Sequence, residues 1–187
     1  MKKALPSPEE SRALLLRFAA GEPAAVEEVY RRHVGSVSRV VARMGGGSSE
    51  EVEDLVQATF LEALRGAPRY QGSTSVRGWL VGIALNLTRM HRRSMGRERR
   101  RHALLDPSPE PAPSSETVFC GEETRAELAK AIAELPELQR EALVLCELEE
   151  LSAKEVSAML GAPPATIWRR VHDARMTLRR LLAEEDP

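Results

Sequence analysis

The chain has 187 residues, 42% of them apolar and 29% charged, which supplies both a core and a solvated surface and excludes a wholly disordered polymer. Its net charge of -1 hides an asymmetry: residues 1–102 hold 18 Lys/Arg against 11 Asp/Glu, while residues 103–187 hold 9 against 17. No apolar run approaches the roughly 20 residues of a membrane span. Met1 to Pro8 leads into Glu9 and Glu10, not into a signal-peptide core, so the expected location is the cytoplasm.

Only 4% of the chain is aromatic, and Ala, Leu, Glu and Arg dominate, so an all-α fold is expected. A first helix fits Pro8 to Ala20, with Ser7 as N-cap and Gly21 as the stop. A second runs from about Pro23 to Met44, its valines on one stripe, and Gly45-Gly46-Gly47 ends it. Ser49 is the expected cap of a third, in which Val52, Leu55, Val56, Phe60 and Leu64 recur at helical spacing. After a loop from Gly66 to Ser75, a fourth helix opens near Val76 and passes through Trp79, Leu80 and Ile83 into an arginine run.

Residues 103–120 contain four prolines and no helical period, which marks a flexible linker. It divides the chain into an N-terminal helix (1–21), a first domain (22–102), the linker, and a second domain (121–187). In the second domain Glu122 to Leu135 reads as a helix, and Pro136 opens the next in its first turn, running to about Glu149. Ser152 with Glu155 makes a capping box for a short helix that ends at Leu160-Gly161. Pro163 and Pro164 open a final helix, with Ile167, Val171, Ala174, Leu178 and Leu181 inward. Helix, glycine turn and helix form a helix-turn-helix outline.

Chemistry-bearing motifs are scarce. Four scattered histidines make no HExxH pair, and neither a phosphate-cradling glycine loop nor a GxSxG elbow is present, which argues against an enzyme. Cys120 and Cys146 lack the close Cys/His partners of a zinc site, and Cys146 sits in an apolar run as a small core residue; neither a metal nor a cofactor is expected. Basic stripes are the stronger signal. Residues 77–102 hold eight arginines and one acid, and residues 165–180 hold five arginines and one aspartate. Both are able to meet a polyanion, the first by sequence-blind phosphate contacts and the second at the amino end of a recognition helix.

Several motifs in register then resemble one family. Asp54-Leu55-Val56-Gln57-Ala58-Thr59-Phe60-Leu61-Glu62-Ala63-Leu64, followed by Arg77-Gly78-Trp79-Leu80 and Ile83-Ala84-Leu85-Asn86, is similar to domain two of the extracytoplasmic-function sigma factors of bacterial RNA polymerase. Leu135-Pro136-Glu137-Leu138-Gln139-Arg140-Glu141, Leu151-Ser152-Ala153-Lys154-Glu155-Val156 and His172-Asp173-Ala174-Arg175 resemble their domain four. The resemblance covers about residues 22–102 and 121–182.

It implies two helical domains, a helical bundle and a helix-turn-helix, that join core RNA polymerase at the beta-prime clamp and beta flap and direct initiation at a promoter class. Asp54, Gln57, Phe60 and Leu64 match the clamp-binding helix. Tyr70, Gln71, Ser73, Val76, Arg77, Trp79, Asn86, Arg89, Arg92 and Arg93 fall where the family recognises and melts the -10 element. Thr166, Trp168, Arg169, Arg170, His172, Asp173 and Arg175 match the helix that reads the -35 element. Val76 stands where the family often has an aromatic residue, and Trp168 and Asp173 where basic residues are frequent. Asp173 either accepts from a cytosine amine or pairs with Arg169 or Arg170. An anti-sigma factor is an implied partner. The rival reading is a stand-alone helix-turn-helix regulator binding duplex DNA as a dimer.

Overall fold

The computed structural model describes residues 8–45, 47–72, 74–105 and 123–184. Ser7, Ser73, Cys120 and most of the expected linker lie outside the described residues. Eight α-helices and no strand occur among the described residues: α1 (Pro8–Ala19), α2 (Pro23–Arg43), α3 (Ser49–Gly66), α4 (Val76–Leu105), α5 (Glu123–Glu134), α6 (Glu137–Leu143), α7 (Ala153–Leu160) and α8 (Pro164–Glu184). A 3-10 turn, Ala67–Arg69, follows α3, and α6 widens into a π turn, Val144–Leu148.

Three boundaries differ from expectation for local reasons. The cap of α3 is Ser48, whose hydroxyl accepts from Glu51 N at 3.3 Å while the Glu51 carboxylate accepts from Ser48 N at 2.7 Å. Ser49 lacks such a reciprocal partner, because the residue three positions on is Val52. Helix α4 continues through Leu105, since no proline interrupts it before Pro107, so the first three residues of the expected linker belong to it. Pro136 is the N-cap of α6 and stays outside the helix, at φ -51° and ψ 139°. The Ser152/Glu155 box forms as expected, and Gly161 ends α7 at φ 61°, the left-handed cap for which glycine carries no Cβ penalty.

The amino-terminal helices enclose one apolar cluster, with Leu15, Phe18, Val29, Val37, Phe60 and Leu80 at its centre. Burying each such side chain contributes about 1.5–3 kcal/mol. A second cluster joins Ile132, Leu135, Leu145, Val156, Ile167 and Val171 of the carboxy-terminal bundle to Val40 and Met44 of α2 and Val81 and Leu85 of α4. Besides the expected linker, the two bundles are thus in direct contact. They share a core, because one side of α2 and α4 carries its own apolar residues beyond those used inside the first bundle.

Candidate nucleic-acid interface

On α3, Asp54 and Gln57 are exposed and Leu64 is half-buried. Phe60 turns inward, 7% exposed, with its ring centroid 4.8 Å from that of Tyr30. At 100° per residue the four positions sweep about 120° of the helix surface, so Asp54 and Phe60 cannot share one narrow stripe. The exposed face is mixed, with Leu61, 55% exposed, lying between Asp54 and Gln57.

The loop before α4 is closed by Tyr70, whose hydroxyl donates to the Thr74 carbonyl and whose ring centroid lies 5.2 Å from that of Trp79. Gln71 and Asn86 are exposed, whereas Val76 is buried at 8% and presents no surface for base stacking. Trp79 packs partly on the core, and with Gly78, Gly82, Ile83, Asn86 and Met159 it lines an open cleft of about 620 Å³. Further along, Arg93 faces solvent. So do Arg97 and Arg101, whereas Arg77, Arg89 and Arg92 are partly buried against acids. Arg77 donates to Glu149 at 2.7 Å, Arg89 grips both oxygens of Glu141 at 2.6 Å each, and Arg92 lies 3.2 Å from Glu137.

On α8 the apolar stripe of Ile167, Val171 and Ala174 is buried, which turns the opposite face outward. Trp168 is 56% exposed there, beside the exposed Arg169 and His172. Thr166 and Arg170 are half-buried, lining with Arg169, Asp173 and the start of α6 a shallow cleft of about 390 Å³. Asp173 makes a loose ion pair with Arg169 at 3.9 Å and remains partly open to solvent, while Arg175 is held by Glu147 at 2.7 Å.

This arrangement has known counterparts. The family models for Sigma-70 region 2 and Sigma-70, region 4 match residues 29–98 and 125–178. The chain is 33% identical over 171 residues to the RNA polymerase sigma factor CarQ of Myxococcus xanthus, covering 90% of this chain and 95% of that one. The chain belongs to the ECF RNA polymerase sigma factors. It is also 36% identical to the ECF sigma factor SigE of Mycolicibacterium smegmatis, over 89% of this chain and 66% of that relative's length. Among solved structures, CnrH in complex with the cytosolic domain of CnrY aligns over 94% of this chain and 99% of that chain, with a TM-score of 0.68 and 27% identity. The sigma factor RpoE of Bartonella quintana, solved with the anti-sigma factor NepR, shares the fold at a TM-score of 0.66 and 23% identity.

The electrostatics of the sigma factor centre on buried acids that the sequence reading passed over. Glu149 is fully buried and Glu141 is 1% exposed. Burial pushes the Glu149 carboxyl up, but hydrogen bonds from Arg39 and Arg77 outweigh it and hold it below the usual carboxylate range. The same bonds raise Arg39, and those of Glu141 raise Arg89. His33 is lowered to about 4 by burial and by the neighbouring Arg32 and Arg77. Arg39, Glu137, Glu141, Glu149 and Glu155 are the partners that periodicity and motif spacing do not assign to these side chains. One signal was available: Glu141 stands directly before the apolar run Ala142-Leu143-Val144-Leu145, where a carboxylate requires a cationic partner.

Proposed function

We propose that this sigma factor docks on the core RNA polymerase clamp through the α3 face around Asp54 and Gln57, and lays promoter DNA against two helices. The loop from Tyr70 to Ser75 and the arginines of α4 take the -10 region, and the amino end of α8 reads the -35 region. The observation that carries this reading is the outward Trp168–Arg169–His172 face of α8, presented by a glycine turn and backed by a buried apolar stripe. It is the geometry with which a second helix enters a major groove. Residues 22–102 and 121–187 then act as separate binding domains in the assembled machine. The protein works in the cytoplasm, performs no covalent chemistry of its own, and is held in check by an anti-sigma factor. A stand-alone dimeric regulator would leave the α3 face of Asp54, Gln57 and the exposed Leu61 without a use.

The test is run-off transcription from a genomic promoter library with core polymerase, with and without the chain. Transcripts that start only in its presence define the promoter class; identical transcripts in both reactions refute the reading. Asp54→Ala and Gln57→Ala are each expected to weaken holoenzyme assembly roughly tenfold, the scale of an interface hot spot, with unchanged melting temperature. Unaltered assembly in both variants removes the clamp assignment.

A further inference from the structure

The chain has two tryptophans, and the fold uses them differently. Trp79 packs partly on the core, its ring centroid 5.2 Å from that of Tyr70. Trp168 is 56% exposed, and its side chain makes no hydrogen bond or ring contact among the described residues. A single exposed apolar side chain is ordinary on a protein surface. Its place is what singles this one out. Trp168 is the fifth residue of α8, about 6 Å along the axis from Pro164, on the stretch of a helix-turn-helix second helix that reaches base edges.

The surroundings leave the indole open. Ile167 and Val171, 0% and 2% exposed, fix the register of α8, and Trp168 projects beside Ala165 and His172, both of them exposed. A helical side chain leans toward the amino end of its helix, and on that side Ala165 offers no more than a methyl group as cover. Two cations of the same helix are less free. Arg175 donates to Glu147 at 2.7 Å, and Arg169 lies 3.9 Å from Asp173.

An indole brings one N–H donor, no acceptor and a large apolar ring. It cannot grip the O6 and N7 atoms of guanine with the fork of an arginine. Among the groups that the major groove displays, the C5-methyl of thymine is the apolar one. We propose that Trp168 selects a thymine in the -35 element, packing its indole on that methyl group. The proposal rests on the reading of α8 as the -35 helix given above, and adds the base that one of its side chains requires. Selection works in both directions. Thymine lets two apolar surfaces leave water together, whereas the N6, O6 or N4 group of another base loses its water against the ring and gains no partner.

The test uses holoenzyme assembled from the full chain and core polymerase. A promoter library randomised over the -35 segment gives the preferred sequence by run-off transcription. Each thymine of that sequence, on either strand, is then replaced in turn by deoxyuridine, which lacks the methyl group and keeps every hydrogen-bonding group. With the parent chain one such template is expected to lose about fourfold in initiation, the effect of burying one methyl-sized group. With Trp168→Ala the same template and its thymine counterpart are expected to agree within about twofold. Parent holoenzyme that tolerates deoxyuridine at every position overturns the proposal, and so does a methyl dependence that survives in Trp168→Ala.

Two further readouts separate the causes. Trp168→Arg, applied to the same library, is expected to exchange the preferred thymine for guanine, since a guanidinium forks onto O6 and N7; a profile that keeps the thymine overturns the proposal. Holoenzyme assembly and melting temperature are measured alongside. An assembly defect in Trp168→Ala with unaltered methyl dependence places the indole on the polymerase and overturns it as well. A parent profile without any base preference in the -35 segment removes the reading of α8 itself, and both fall. Base preference without methyl dependence leaves that reading standing and defeats the assignment of Trp168 alone.

Discussion

Arginines of α4 and of α8 form the two basic stripes of this chain, and Arg77, Arg89 and Arg92 of the first meet surroundings opposite to those of Arg169 in the second. On α4, Arg77, Arg89 and Arg92 are satisfied by Glu149, Glu141 and Glu137, two of which are buried carboxylates. On α8, Arg169 has an 84% exposed side chain and only a loose partner in Asp173. Local charge is thus a poor guide to availability. Residues 77–102 carry the larger positive surplus, yet Arg77, Arg89 and Arg92 are covered, because they border an apolar seam against which an acidic bundle packs, while Arg93, Arg97 and Arg101 stay exposed. Arg169 stays open because it lies away from the buried stripe of Ile167, Val171 and Ala174.

The sharpest way to break this comparison is to delete one arginine from each stripe. Arg89→Ala leaves Glu141 buried without its bidentate partner, and a stranded carboxylate of this kind costs about 3 kcal/mol. Arg169→Ala removes a solvated side chain and is expected to change stability by less than about 0.5 kcal/mol. Urea unfolding of the two variants checks both figures. If Arg89→Ala loses no more than Arg169→Ala, the α4 stripe is not covered in solution and the contrast disappears.

The same pair of helices explains what was legible in the sequence. Periodicity and capping gave α7 and α8 nearly to the residue, because Ser152, Glu155, Gly161 and the apolar stripe are all local signals. Proline density is the source of the expected linker, most of which lies outside the described residues. What periodicity does not carry is the partner of a side chain 52 or 72 positions away, the separations of Arg89 from Glu141 and Arg77 from Glu149. Nor does an i, i+3, i+6, i+10 count resolve which members of α3 face outward; Phe60 was grouped with Asp54 and lies in the core beside Tyr30. The π turn was also invisible, since Val144-Leu145-Cys146-Glu147-Leu148 reads as ordinary helix.

A pH titration separates the covered region from the open one with a smaller effect. His33 has its folded pKa depressed from 6.5 to about 4 by burial and by Arg32 and Arg77. The unfolded chain therefore binds the extra proton first. Stability is full above about pH 6.5 and falls as pH drops toward 4, the window set by those two values. The expected loss is about 2 kcal/mol, after discounting for the part of the ring that solvent reaches. Glu149, whose folded pKa is lowered, adds its own loss only at lower pH, as the carboxylates begin to protonate. Denaturation at pH 7.5, 6 and 5 should show the fall, and His33→Gln should flatten it. A slope that survives in His33→Gln assigns the effect elsewhere.

The smallest effect concerns the turn beside Glu149. Glu150 holds φ 49° with an exposed side chain, so its conformation is the main thing a substitution changes there. Glu150→Gly relieves the Cβ conflict but adds freedom to the unfolded chain, and the balance is expected to favour the folded state by about 0.5 kcal/mol. Glu150→Val, whose branched side chain tolerates the left-handed region poorly, is expected to cost more than 1 kcal/mol. Urea unfolding of both variants checks the two signs, and a valine variant as stable as the parent removes the strain at φ 49° from the account of this turn.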